Sequence, residues 1–175
     1  MSQASTIWRG LLLPFVEVCL LRRAPWQIPA SGLLLRLAMA AYLVTGLLLA
    51  LPTLPPAEVL LSTALDFVLL FGLTALGLRL AGRRERIPQT LTALAGAGTV
   101  MNLLGLPLSL WLAASGEAPF PSLLLLLLTL WSMAILAHVL RHALSIPFAL
   151  GLLLAFGYYW LLLGLLALLV PGALQ

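Results

Sequence analysis

Long apolar runs, separated by short polar or proline-containing segments, dominate this chain. A transmembrane helix needs about 20 mostly apolar residues. Five runs are long enough, and they lie at residues 31–52, 57–80, 89–114, 120–142 and 146–170. The segments between them carry proline and glycine, which mark loops. The pattern predicts an all-α fold, a polytopic bundle of five transmembrane helices, which we number as the first to fifth spans.

Residues 1–30 form a separate amino-terminal segment ahead of the transmembrane domain, residues 31–175. Its apolar run is too short to span a membrane, and Pro14 and Glu17 interrupt it. A signal peptide is the rival interpretation of this segment. However, Arg22 and Arg23 follow the apolar run, and no small-x-small cleavage site comes after that run. The helical spacing of the larger apolar side chains predicts an interfacial amphipathic helix instead; these residues are Trp8, Leu11, Leu12, Phe15 and Cys19.

Composition supports lipid as the solvent of this chain. Hydrophobic residues make up 63% and charged residues only 8%, whereas a soluble domain carries about 25% charged residues. The net charge of +4 comes from nine arginines spread between the apolar runs, which indicates membrane topology rather than a nucleic-acid surface. The single cysteine, Cys19, excludes an intramolecular disulfide.

The arginines also predict the orientation. Apart from Arg36, which lies near the start of the first span, they precede that span or lie around the second and fourth loops, whereas the first and third loops contain none. By the positive-inside rule, the arginine-bearing side faces the cytoplasm. We therefore expect a cytoplasmic amino terminus and a carboxyl terminus on the outside.

One acidic residue, Asp66, stands inside the apolar run of the second span. At 1.5 Å per helical residue, it lies about 21 Å from the cytoplasmic end of that span. Other spans carry polar side chains at a similar depth, namely Thr45, Asn102, Thr129, Tyr158 and Tyr159. We predict an intramembrane polar cluster with five candidate residues: Asp66, Asn102, Thr45, Tyr158 and Tyr159.

Two interpretations of Asp66 stay open. In the first, it binds a proton or a cation along a pathway, with Asn102 and Tyr158 or Tyr159 as companions. In the second, a protonated Asp66 is a clasp that fixes how the second and third spans meet, across a stripe of small residues. We favour the clasp, because a membrane pathway normally uses more than one ionisable group.

A second candidate cluster lies at the cytoplasmic edge and contains Arg36, His138, Arg141 and His142. The two histidines are one helical turn apart, a spacing that is compatible with a shared metal ion. A third ligand would have to come from elsewhere, the candidates being Glu17, Cys19 and Glu85. Cations that reach the headgroups are the ordinary explanation, so we predict no metal site and no cofactor.

Three stretches resemble the bacterial branch of the Yip1 family of membrane proteins. They are "RIPQTLTALAGAG" (86–98), "WSMAILAHVLRHALSIPFALGLLLAFGYYWL" (131–161) and "RRAPWQIPAS" (22–31). The resemblance implies a five-helix bundle of the bacterial inner membrane that affects membrane organisation or transport, and it assigns no residue a role. The Asp-Leu-Tyr-Gly-Pro motif of the eukaryotic members is absent, so a Rab-type partnership is not implied.

The sequence contains no catalytic constellation, and we predict that the chain is not an enzyme. The first functional hypothesis is a Yip1-like integral membrane protein that acts through lipid or membrane-protein association in membrane organisation. The alternative is a small transporter or channel with a proton or cation site at the depth of Asp66. The expected partners are the lipid bilayer and either other membrane proteins or further copies of the chain, with no nucleic acid.

Overall fold

The structure is a computed structural model that describes residues 13–115 and 119–169. Within these ranges the chain forms six α-helices and no strand, and the helices are α1 (Leu13–Cys19), α2 (Gly32–Ala50), α3 (Pro56–Leu80), α4 (Ile87–Ser115), α5 (Pro119–Leu144) and α6 (Phe148–Leu169). Helices α2 to α6 are long and apolar enough to cross a membrane. The predicted all-α bundle and its five spans are therefore confirmed, with boundaries that differ by one or two residues.

Several predictions concern residues outside the described ranges. These are the amino-terminal residues Trp8, Leu11 and Leu12 of the amphipathic segment, together with the carboxyl-terminal end of the chain.

Helix α4 is the centre of the bundle, and its small residues allow the other helices to approach it. Residues 90–97 of this helix are all buried. The ring of Tyr42 from α2 lies against Gly98, where an added Cβ would come 2.3 Å from the Tyr42 Cε2 atom. Farther along α4, Gly105 faces Leu49 of α2 and Leu128 of α5. Glycine at these points lets helices pack closely, as is common between membrane helices.

Helix α1 packs among the spans. Four of its seven residues are buried, namely Pro14, Phe15, Val18 and Cys19. An added Cβ at Gly96 of α4 would lie 2.1 Å from the Phe15 ring, and the indole Nε1 of Trp131 in α5 donates to Cys19 O at 2.9 Å. Because Gly96 is nine residues into α4, this contact lies about 14 Å along that helix.

The helix predicted ahead of the first span is thus present over residues 13–19. The apolar face of α1 contacts α4 and α5, where the sequence predicted a helix lying in the interface. The physical reason is Gly96, whose missing side chain leaves room for the Phe15 ring. That gap cannot be recognised from the spacing of α1 alone.

The arginine-bearing loops meet at one end of the bundle, which we call the arginine end. Arg83 Nη1 donates to Ser145 Oγ at 2.7 Å, which joins the α3–α4 loop to the α5–α6 loop. The segment before α2 comes to the same end, because the Trp26 ring lies edge-on against His142 with centroids 4.9 Å apart. The structure therefore collects on one side the loops that the sequence assigned to one side.

Gly98→Ala should destabilise the bundle, because the added methyl group would meet the Tyr42 ring. We expect the free energy of unfolding in detergent to fall by about 1–3 kcal/mol, the range for overpacked sites. Gly72→Ala is the matched control, since a Cβ at Gly72 has nothing within 4 Å, and it should change stability by less than about 1 kcal/mol. Equal losses from both variants would contradict the close contact at Gly98.

The Cys19 thiol should resist alkylation in the folded protein. Burial raises the pKa of this thiol to about 11, so at pH 7 only on the order of one thiol in ten thousand is the reactive thiolate. Alkylation by iodoacetamide should be slow at pH 7 and accelerate as the pH rises. An exposed cysteine made by Ala81→Cys in a Cys19→Ser background is the control. Similar labelling rates at pH 7 would argue against the buried position of α1.

Candidate functional site

The carboxyl group of Asp66 joins three helices. It projects from α3, where it accepts a hydrogen bond at Oδ2 from the Tyr42 hydroxyl of α2. Its other oxygen, Oδ1, accepts a hydrogen bond from the Tyr158 hydroxyl of α6. Both oxygens therefore have a donor, and a polar group inside a bilayer requires partners of this kind within the protein. We call this group, made of Asp66, Tyr42 and Tyr158, the tyrosine clasp.

Tyr42 reaches Asp66 because the glycine at position 98 leaves room for its ring. The side chain is only 7% exposed, and it also packs edge-on against Phe71 of α3, with ring centroids 5.4 Å apart. The phenol thus crosses from α2 to α3 through a space that α4 leaves open. Tyr42 was not among the predicted site residues, although it stands one turn before the candidate Thr45 and on the same side of the helix.

Asn102 and Thr45 form a second polar pair, which joins α2 to α4. The Asn102 Nδ2 group donates to Thr45 Oγ1 at 3.3 Å, and the same hydroxyl donates to Ala41 O at 2.8 Å. Asn102 was predicted as a companion of Asp66, but its hydrogen bond goes to Thr45. Tyr42 occupies the place beside the carboxylate, and the clasp consequently joins the first, second and fifth spans instead of the second and third.

The remaining polar residues at this depth have separate environments. Tyr159 lies edge-on against Tyr158, with ring centroids 5.1 Å apart, and both tyrosines line a small cavity of about 80 Å³ together with Asn102 and Ser132. Thr129, by contrast, is exposed on α5 and donates to Leu125 O of its own helix. The structure therefore brings Tyr158, Tyr159 and Asn102 to one cavity and leaves Thr129 outside it.

An apolar cleft extends from the tyrosine clasp toward the arginine end. It has a volume of about 340 Å³ and is bounded by α3, α5 and α6, with Tyr158 on its wall. Its floor includes two glycines, Gly77 and Gly157, where an added Cβ would have nothing within 4 Å. The other walls are almost all leucine, including Leu73, Leu140, Leu144 and Leu153. We call this space the leucine cleft.

The second candidate cluster is only partly brought together. The rings of His138 and His142 lie edge-on with centroids 4.6 Å apart, and both histidines line a cavity with Arg141. His138 Nε2 donates to Arg23 O at 3.2 Å. This hydrogen bond connects α5 to the segment before α2. Arg36 is exposed on α2 and is not among the described residues that line this cavity.

The two acidic residues that were considered above as a third metal ligand form ion pairs with arginines instead. Glu17 Oε2 pairs with Arg23 Nη1 at 2.8 Å, and Glu85 Oε1 lies 3.8 Å from Arg86 Nε. In the described ranges no third histidine, cysteine, aspartate or glutamate joins His138 and His142 in a group that could hold a metal ion. Arg36 forms no ion pair with either acid among the described residues.

The tyrosine clasp should contribute measurably to stability. Tyr158→Phe removes one donor and leaves Asp66 Oδ1 without its partner, so we expect a loss of about 1–2 kcal/mol in the free energy of unfolding, at the upper end for hydrogen bonds within membranes. Asp66→Asn should cost less than Asp66→Leu, because the amide can still accept from one phenol and donate to the other.

Tyr159→Phe is the comparison variant for the clasp, although it also removes the hydrogen bond between Tyr159 and Ser132. It removes the same hydroxyl one residue away, and Tyr159 makes no hydrogen bond to Asp66 among those described. Unfolding titrations of the purified variants in mixed detergent micelles measure the difference. If Tyr158→Phe were as stable as wild type, the hydrogen bond to Asp66 would have no energetic role.

Searches with this sequence and structure against protein-family models, curated proteins and solved structures find no significant match. The resemblance to the Yip1 family stays a prediction from sequence patterns. The features of the described residues that bear on function are the tyrosine clasp, the leucine cleft and the arginine end.

Proposed function

We propose that this chain is a non-enzymatic, multi-pass protein of the bacterial inner membrane that acts in membrane organisation by binding membrane lipid. In this proposal the arginine end faces the cytoplasm, so that the amino terminus lies there and the carboxyl terminus lies outside. The sequence resemblance to bacterial Yip1 proteins supports this setting. The observation that carries the proposal is the leucine cleft.

The walls of the leucine cleft fit a lipid acyl chain. They are apolar along their length, and their volume of about 340 Å³ lies in the range of about 300–1,000 Å³ that is typical of small-molecule sites. The neighbouring surfaces of α3 and α6 expose large apolar side chains such as Leu76 and Leu153, which suit contact with hydrocarbon. An acyl chain can therefore pass from the bilayer into the cleft without leaving an apolar environment.

The charges near the cleft suit a lipid whose headgroup lies at the arginine end. Arg79 is in the last turn of α3, two residues beyond Gly77 of the cleft. Leu144 forms the cleft wall next to Ser145, and Ser145 accepts hydrogen bonds from both Arg83 and Arg86. Arginines at this level attract the phosphate of a phospholipid while the cleft receives its tail.

A small transporter with a proton or cation site at Asp66 is the second candidate function. The observation in its favour is the cavity of about 80 Å³ beside Tyr158, because Asn102 and Ser132 give it polar walls and polar cavities of this size hold water. Against it, both oxygens of Asp66 already accept hydrogen bonds from tyrosines. Asp66→Asn in reconstituted vesicles separates the two functions, since it should abolish proton or cation flux only if Asp66 lies on a pathway.

The lipid proposal is tested by filling the cleft. Gly157→Leu places a side chain into the space that an acyl chain would occupy, and we expect it to lower cross-linking to a phospholipid with a photoactivatable acyl chain by about tenfold in proteoliposomes. Wild-type cross-links should map to residues 70–77 and 153–161. Wild type and Gly157→Leu are compared at equal amounts of folded, monodisperse protein.

Gly164→Leu is the control for this experiment. It makes the same change on the same helix, where a Cβ also has nothing within 4 Å, but Gly164 is not among the residues of the leucine cleft. It should leave the cross-linking unchanged. Equal cross-linking by wild type and Gly157→Leu, or cross-links scattered evenly over all five spans, would contradict a specific lipid site.

A further inference from the structure

We propose that Arg141, together with Arg22 and Arg86, forms a binding site for a phosphate group at the arginine end of the bundle. No residue of this site lines the leucine cleft. Because Arg86 and Ser145 were placed above at the level of the lipid headgroup, the inference rests on the proposed function and deepens it by naming the side chains that bind the phosphate. The phosphate belongs either to the headgroup of an anionic phospholipid or to a soluble phosphate ion or ester.

Two cavities meet at Arg141. The first has a volume of about 430 Å³ and includes Arg22, Gln27 and His138 on its walls. The second has a volume of about 460 Å³ and includes Trp26, Arg86 and Ser145. Arg141 and His142 line both of them. A phosphate group that enters either cavity therefore meets the Arg141 guanidinium.

The guanidinium of Arg141 has no protein partner among the described residues, as is also true of Arg22 and Arg84, but Arg141 is half-buried whereas those two are exposed. Arg23 pairs with Glu17, and Arg86 Nη1 donates to the carbonyl oxygens of His142 and Ala143. Arg141 is half-buried, but it forms no hydrogen bond or ion pair with residues 13–115 or 119–169. A cation that has lost part of its water without gaining a partner is costly, and an anionic ligand would offset that cost.

The charge around the cavities is of one sign. Seven arginines lie at this end: Arg22, Arg23, Arg79, Arg83, Arg84, Arg86 and Arg141. The two acids in the same segments, Glu17 and Glu85, are turned toward Arg23 and Arg86. The remaining potential is positive, which concentrates anions at the cavity mouths.

The geometry of the arginine side chain suits a phosphate ligand. Its planar guanidinium offers parallel N–H donors that match two phosphate oxygens at once. Arg86 is already held at the end of α5 by its hydrogen bonds to backbone carbonyls, so its position is fixed before a ligand arrives. Arg141 and Arg22 supply the donors that are not yet used.

The walls of the site are held by contacts that do not involve the proposed ligand. The Trp26 ring lies edge-on against His142, and His138 Nε2 donates to Arg23 O at 3.2 Å. These contacts connect the segment before α2 to the end of α5. Because Arg141 takes no part in them, it can be replaced without removing a contact that supports the fold.

The experiment measures lipid binding to the full-length protein in detergent by native mass spectrometry. Phosphatidylglycerol and phosphatidylcholine with identical acyl chains are the two probes. We expect wild type to bind phosphatidylglycerol more tightly, and Arg141→Gln to weaken that binding about tenfold, the loss that corresponds to one charge-assisted hydrogen bond. Arg22→Gln should give a smaller loss in the same direction, because Arg22 is exposed and lines only the first cavity.

Arg84→Gln is the matched control, since Arg84 is exposed at the same end of the bundle and lines neither cavity. Its binding of phosphatidylglycerol should stay within about twofold of wild type. Equal losses from Arg84→Gln and Arg141→Gln would overturn the site in favour of diffuse attraction. Unchanged binding by both Arg141→Gln and Arg22→Gln would overturn it outright.

Two further arms separate the source of the phosphate and the two proposals. Displacement of phosphatidylglycerol by millimolar inorganic phosphate supports a site that takes a soluble anion, whereas no displacement supports a site for the lipid headgroup. Gly157→Leu, which fills the leucine cleft, should leave the preference for phosphatidylglycerol over phosphatidylcholine intact. Failure of the acyl-chain proposal and failure of the phosphate site are therefore observed in different variants.

Discussion

The structure depends on the requirement that a polar group surrounded by hydrocarbon must find its hydrogen-bond partners within the protein. Asp66 meets this requirement with two phenols, one from α2 and one from α6. A carboxyl group that needs both partners ties the positions of three helices together, including the axial level at which α3 lies between the other two. The wall that α3 and α6 give to the leucine cleft follows from that arrangement.

Glycine on α4 makes the clasp sterically allowed. The Tyr42 ring lies where a side chain at position 98 would otherwise be. The Tyr42 hydroxyl can therefore donate to Asp66 only because α4 has no side chain at this position. The same helix accepts Phe15 at Gly96, two residues earlier and on a different side. A short run of small residues therefore determines the placement of two neighbouring elements and, through Tyr42, of a third.

Much of the architecture could be predicted from the sequence, because the bilayer imposes a length on every apolar run. The five spans and the polar depth around Asp66 depend only on that length and on helical rise. The pairing of polar groups could not be predicted in the same way. Asn102 and Tyr42 are both at a depth from which they could reach Asp66, and only the packing of α2 on α4 decides that Asn102 meets Thr45 while Tyr42 meets the carboxylate. The position of α1 likewise depends on a gap in α4 that no local pattern reveals.

The hydrogen bond between Trp131 and Cys19 has a consequence for how the chain assembles in the membrane. Its two residues are 112 positions apart, so α1 is synthesised long before α5 exists to receive it. At about 5–20 residues per second, the interval is on the order of ten seconds. Until α4 is made, the apolar side of α1 has no protein cover and rests on the bilayer surface, as short amphipathic helices do; α4 then covers one part of it and α5 completes the contact. Insertion of the amino-terminal helix is therefore a late event in biogenesis, and the nascent chain waits at the water–lipid boundary before it docks.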